Sequence, residues 1–147
     1  TTMKTKLALA TLMVSMLPIV AACSPVSGAS ADKETHIDVS ADDFATTNSI
    51  TREITVSEGD TLTVSLGSNP STGFGWDEAI ISNPAVLQQV ETEFIAASGQ
   101  TVGAAGAQVW TFKALEKGST SVSMDYSRPW EGGEKGVWTF DLTVTVK

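Results

Sequence analysis

Cysteine is nearly absent from this chain of 147 residues: Cys23 is the only one, so no intramolecular disulfide can form. Histidine is as scarce. His36 stands alone, and with Cys23 in the position of a lipidated cysteine the sequence offers no Cys/His nucleophilic pair. Basic residues number 9 against 17 acidic ones, a formal net charge of −8. Lys4 and Lys6 fall in the first 22 residues, which hold no acid, so from Cys23 onward seven bases face 17 acids, a formal charge of −10. A surface of that sign is a poor match for nucleic acid, and none is expected as a partner. No long stretch repeats its apolar residues at helical spacing. No cluster of metal-ligand residues is visible, and no cofactor is expected. Gly99, Gly103 and Gly106 lack the Gly-Lys-Ser/Thr ending and the following helix of a phosphate loop. Asp42-Asp43 and Asp77-Glu78 are adjacent carboxylates, which on a strand point to opposite faces and read as solvated charge. His36 likewise reads as a solvated residue. No catalytic group is therefore expected, and the chain reads as a binding protein rather than an enzyme.

What is present begins with a leader. Met3-Lys4-Thr5-Lys6 is basic, and Leu7 to Ala22 is apolar but short for a membrane span, which gives residues 1–22 the form of a signal peptide. The segment closes on Val20-Ala21-Ala22-Cys23, which resembles the bacterial lipoprotein signal, in which the cysteine is lipidated after cleavage before it. Residues 23–40 are expected to form a flexible tether, since Ser24 to Lys33 is rich in Ser, Ala, Gly and Pro. A lipid anchor through Cys23 to a bacterial membrane, at the outer membrane or cell surface, is the expected location. A monomer is the expected state.

Residues 41–147 are expected to be one all-β domain. Leu62, Val64 and Leu66 alternate with polar neighbours, as do Val122, Met124 and Tyr126. Trp110, Phe112 and Ala114 form a similar face, and Trp138, Phe140, Leu142, Val144 and Val146 form the longest. Period two with β-branched residues marks half-buried strands. Turn signals at Glu58-Gly59-Asp60, Asn69-Pro70, Asn83-Pro84, Lys117-Gly118 and Gly132-Gly133 separate them. About seven strands in about a hundred residues predict an antiparallel β-sandwich.

Three connections carry the distinctive residues. In the first, Pro70 fixes its own φ and restricts Asn69, while Ser71 and Thr72 place two hydroxyls at the tip before Gly73, Phe74 and Gly75. Phe74 is expected to pack under its loop and Trp76 to fill the core. The second, Ser98 to Gln108, is almost bare of large side chains: Gly99, Gly103, Ala104, Ala105 and Gly106 leave the backbone free to approach a partner. In the third, Pro129 stiffens the chain between Arg128 and Trp130, and Trp130 is expected to be exposed. A stiff exposed Trp is an efficient interface anchor, because it brings large area at little ordering cost.

Asn69-Pro70-Ser71-Thr72-Gly73-Phe74, the glycine-rich run from Gly99 and Arg128-Pro129-Trp130 together resemble the loops of the chagasin family of cysteine peptidase inhibitors. That pattern is Asn-Pro-Thr-Thr-Gly-Phe/Tyr, a glycine-rich loop and Arg-Pro-Trp/Phe, in this order. Here Ser71 replaces the first Thr and keeps its hydroxyl without its methyl. The resemblance covers roughly Phe44 to Lys147 and implies an immunoglobulin-like β-sandwich. It also implies reversible competitive inhibition of papain-like cysteine peptidases. Loop 69–75 would sit over the catalytic Cys–His pair, loop 98–108 would run along the cleft, and loop 127–135 would set Trp130 beside it. A competing expectation is an envelope immunoglobulin-like module for carbohydrate or a surface protein, with Tyr126, Arg128 and Trp130 as a stacking platform.

Overall fold

The computed structural model describes residues 31–99 and 103–147. The leader, Cys23, the start of the tether, Gln100 and Val102 lie outside the described residues.

The elements run in the order β1 (Glu34–Val39), α1 (Ala41–Thr46), β2 (Ser49–Val56), β3 (Thr61–Ser68), a 3-10 turn (Pro70–Thr72), β4 (Gly75–Trp76), β5 (Ile80–Ile81), β6 (Leu87–Ile95), β7 (Gly106–Ala114), β8 (Gly118–Ser127) and β9 (Trp138–Val146). One sheet has the order β1-β3-β7-β6; the other has β2-β9-β8-β4, with β5 also on β8. The expected sandwich is therefore present, built among the described residues from nine strands, of which two are only two residues long.

The alternating residues face each other across the sandwich. Leu62, Val64, Leu66 and Phe112 from one sheet meet Val122, Met124, Phe140, Leu142 and Val144 from the other, all of them buried. At roughly 25 cal/mol per Å² of apolar surface removed from water, this shared face is the main stabilising term, and it must be, since no cross-link is possible. The turn from β2 to β3 is held by Asp60, which is only 8% exposed and accepts the Ser57 N–H at 2.8 Å and the Lys33 N–H at 3.0 Å. These two N–H donors, Ser57 first, hold its carboxyl below the usual carboxylate range.

Two features depart from the sequence expectation. The stretch assigned to the tether contains a strand: β1 begins at Glu34 and pairs with β3 from Glu34 opposite Thr61 to Val39 opposite Leu66. That pairing is parallel, and so is the pairing of β2 with β9, so each sheet has one parallel edge pair while its other pairings are antiparallel. The cause is the crossover after Val39. Ser40 caps α1, accepting the Asp43 N–H at 3.3 Å while the Asp43 carboxylate accepts the Ser40 N–H at 2.9 Å. This reciprocal cap turns the chain through one short helix and delivers it to the other sheet. Asp43 is thus a helix cap rather than idle solvated charge, and the Ser40 hydroxyl and N–H lower its pKa. Phe44, the one buried side chain of α1, fills the end of the sandwich against Trp138 at 5.3 Å and Trp76 at 5.1 Å. Gly67 on β3 admits the helix: a Cβ there would lie 2.2 Å from the Ala41 nitrogen.

Candidate functional site

Strand register brings the three connections to one end of the molecule. Ser68, the last residue of β3, lies opposite Gly106, the first of β7. Ile95 at the end of β6 lies opposite Ala107, and Ser127 at the end of β8 lies opposite Gly75. Loops 69–74, 96–105 and 128–137 therefore leave the sandwich at the same pole.

The first loop is closed by its own hydrogen bonds. Asn69 Oδ1 accepts from the Ser71 N–H at 3.3 Å and the Ser71 hydroxyl at 2.5 Å. The Thr72 N–H and hydroxyl both donate to the Asn69 carbonyl, at 3.2 and 2.7 Å, and the Gly73 N–H donates to the Pro70 carbonyl at 3.0 Å. Gly73 sits at φ +80°, a left-handed conformation that favours glycine. Pro70, Ser71 and Thr72 are exposed at the tip. Both hydroxyl protons are spent inside the loop, so what the tip offers a partner is oxygen lone pairs.

Contacts between loops make the three into one body. Asn69 Nδ2 donates to the Gly103 carbonyl at 3.1 Å, which ties the first loop to the second. The Trp130 ring lies against Gly73, so closely that a Cβ on Gly73 would meet its Cη2 at 2.6 Å. The Arg128 guanidinium stands 4.4 Å above the Phe74 ring and 5.7 Å from the Trp130 ring, which ties the first loop to the third. Among the described residues, Arg128 Nε is the buried side-chain nitrogen left without a hydrogen-bond partner. Arg128 Nη1 pairs with Glu134 at 3.3 Å.

Tyr126 secures this assembly to the core. Its hydroxyl accepts the Asn69 N–H at 2.8 Å, a bond from β8 of one sheet to the end of β3 of the other. Its ring stacks on Phe74 at 5.6 Å and on Trp138 at 4.7 Å, with interplanar angles of 22° and 8°. Trp138 in turn stacks on Phe44, so near-parallel aromatic contacts run from the first loop to α1. Asn69, Thr72, Phe74, Ala105, Arg128 and Trp138 all contribute to one hollow of about 510 Å³.

Most residues singled out from the sequence lie on this end. Gly73 and Phe74 are half-buried, and Gly99, Gly103, Ala104, Ala105, Pro129 and Trp130 are exposed, Trp130 by 51%. Trp76 packs against the core and donates its indole N–H to the Gly67 carbonyl at 3.0 Å. Three expectations change. Gly106 belongs to β7, paired with Ser68, so the second loop ends at Ala105 and not at Gln108. Asp77 is not merely solvated: it accepts the hydroxyl of buried Ser127 at 2.9 Å. Tyr126, offered as part of a stacking platform, is 2% exposed and cannot form one.

Sequence comparison agrees with the geometry. A family model described as chagasin family peptidase inhibitor I42 matches residues 55–144. Amoebiasin-2 of Entamoeba histolytica is 27% identical over 92 residues, covering 63% of this chain and 75% of its own. Chagasin of Trypanosoma cruzi is 29% identical over 82 residues, covering 54% and 74%. Among solved structures, PbICP-C in complex with falcipain-2 superposes with a TM-score of 0.54 at 21% identity, over 78% of this chain and 99% of that one. The match spans every loop that joins at this pole, and the chain belongs to the chagasin family of peptidase inhibitors.

Proposed function

We propose that this chain is a reversible, competitive inhibitor of papain-like cysteine peptidases, and that loops 69–74, 96–105 and 128–137 enter the active-site cleft as one plug. The observation that carries the reading is the joining of three motif-bearing loops at one pole, by Asn69 to Gly103 and by Trp130 to Gly73. The complex of PbICP-C with falcipain-2 supports the same class of partner.

A papain-like enzyme keeps a thiolate–imidazolium pair at the bottom of a groove. The Ser71 and Thr72 oxygens suit that place, since an imidazolium presents N–H donors and the tip retains acceptors. The tip resists cleavage for a geometric reason. The Asn69 and Pro70 carbonyls already accept hydrogen bonds within the turn, so neither peptide is extended and presented to the thiolate as a substrate's would be. Gly103, Ala104 and Ala105 leave the backbone of the second loop able to lie close along a wall of the cleft. Trp130, with Pro129 and Arg128, brings apolar area to the opposite wall. Because the first and third loops brace each other and Asn69 holds Gly103 before binding, little of the interaction energy is lost to ordering these residues.

The test is a titration of papain with the purified chain. Residual activity should fall linearly to stoichiometric equivalence, excess substrate should relieve the inhibition, and the inhibitor should be recovered at its intact mass. Full papain activity under a tenfold excess of the chain at micromolar concentration would overturn the reading.

We further propose that the protein acts as a monomer held to a bacterial membrane by a lipid on Cys23. The sequence Val20-Ala21-Ala22-Cys23, followed by a Ser/Ala/Gly/Pro-rich run, supports this. Cys23→Ser should move the protein from the membrane to the soluble fraction and abolish fatty-acid labelling; an unlabelled wild-type protein would exclude the anchor.

A further inference from the structure

We infer that Lys135 is a positioning residue of the inhibitory face: its ammonium holds the Arg128-Pro129-Trp130 turn in the shape that seats Trp130 on Gly73. Lys135 Nζ donates to the Arg128 carbonyl and, at 3.3 Å, to the Trp130 carbonyl. These two oxygens flank Pro129, which has no N–H of its own to close the turn. Backbone donors close the connection on either side, Arg128 N–H to the Glu134 carbonyl at 2.8 Å, Gly133 N–H to the Trp130 carbonyl at 3.1 Å and Val137 N–H to the Tyr126 carbonyl at 3.0 Å, but none of them reaches the Arg128 carbonyl. The ammonium therefore supplies the contact that draws the carbonyls on either side of the proline toward one point. An ammonium is suited to this, being a compact cation with three donors and no acceptor.

The consequence reaches both side chains that the turn carries. Arg128 is placed over Phe74, and the Trp130 ring is placed against Gly73, so the third loop docks on the first. Without the cation, two carbonyls that converge would repel, and the turn would open around Pro129. Lys135 is itself exposed and contributes nothing to the buried core, so its effect on global stability is small.

The functional readout rests on the reading of the chain as a papain inhibitor, but the position of Trp130 can be followed in the free protein. The experiment compares the full chain with Lys135→Met, which keeps the length of the side chain without its charge. The ¹⁵N–¹H indole signal of Trp130, assigned by its disappearance in Trp130→Ala, should shift toward the position of a solvated indole. Lys135→Arg should return it toward the wild-type position. Against papain, Lys135→Met should raise the inhibition constant about tenfold or more, as expected for loss of charge-assisted hydrogen bonds, chiefly through faster dissociation. In a Trp130→Ala background the same substitution should cost clearly less than in the wild-type chain, because the Trp130 ring is gone and only the placement of Arg128 over Phe74 still depends on Lys135. An unmoved indole signal overturns the inference, and so does an undiminished effect of Lys135→Met in the Trp130→Ala background. If the wild-type chain leaves papain fully active, the inhibitor reading fails alone, and the indole signal still decides the role of Lys135.

Discussion

Trp130 is half exposed and half rested on a glycine, and that division sets what its removal does. Little of the core depends on it, so Trp130→Ala should fold normally while its binding to papain weakens by about 2–4 kcal/mol, measured from inhibition constants. Unchanged affinity would take the third loop out of the interface. Tyr126 is the opposite case. Tyr126→Phe keeps the ring stacks and removes the acceptor for the Asn69 N–H, leaving a partly buried donor unpaired. Stability should fall by about 1–3 kcal/mol in urea titrations, and an unchanged midpoint would show that water replaces the hydroxyl. The burial of Tyr126 was legible, because it shares the inward face of β8 with Val122 and Met124. A loop motif beside it, Arg128-Pro129-Trp130, drew attention to the wrong surface of the same residue. The internal use of the Ser71 and Thr72 hydroxyls was not legible, since it depends on a turn geometry that sequence alone leaves open.

At the scale of elements, loops and strands differ in how far sequence pattern reveals them. The inward residues of β3, β7, β8 and β9 follow from alternation, and the three loops from their Pro and Gly punctuation. α1 spans six residues, too few to show a helical period, and its one apolar anchor is Phe44. The Ser40 to Asp43 cap was its only local signal. Phe44→Ala should cost about 3–5 kcal/mol by urea titration, as it empties a fully buried ring site between Trp76 and Trp138. A loss under about 1 kcal/mol would mean that the two indoles close over the gap. The second loop should behave differently. Deleting three residues between Ile95 and Gly106 leaves both strands paired but strains the Asn69 to Gly103 bond. Papain inhibition should weaken about tenfold or more at a nearly unchanged melting temperature. Equal potency would confine the plug to the first and third loops.

For the molecule as a whole, one carboxylate links the folded state to acidity. Asp60 joins the β2–β3 turn to the entry of β1, and its pKa is depressed in the folded protein by the Ser57 and Lys33 N–H groups. A depressed folded value means that the stabilisation is present above the unfolded carboxylate value of about 3.9 and is lost as pH falls through the folded value. Asp60→Asn should therefore lower the urea midpoint at pH 7, and the gap from wild type should narrow as pH falls below about 4. A gap independent of pH would assign the role of Asp60 to shape rather than charge. Parallel pairing at one edge of each sheet is the global feature that no local pattern announced: Glu34 meets Thr61, 27 positions on, and Ser49 meets Thr139, 90 positions on.

The parallel register of β1 also decides which way the molecule faces. Glu34 starts beside Thr61, at the foot of β3, and β9 finishes at Val146 beside Val56 and Gly118. Both described ends thus emerge from the base of the sandwich, roughly 25 Å from the loops by the rise of an eight-residue strand. Whatever is joined upstream of Ala31, whether a lipid, a resin or a fused carrier, grips the molecule by its base and leaves the rim that carries the three loops pointing outward, unobstructed.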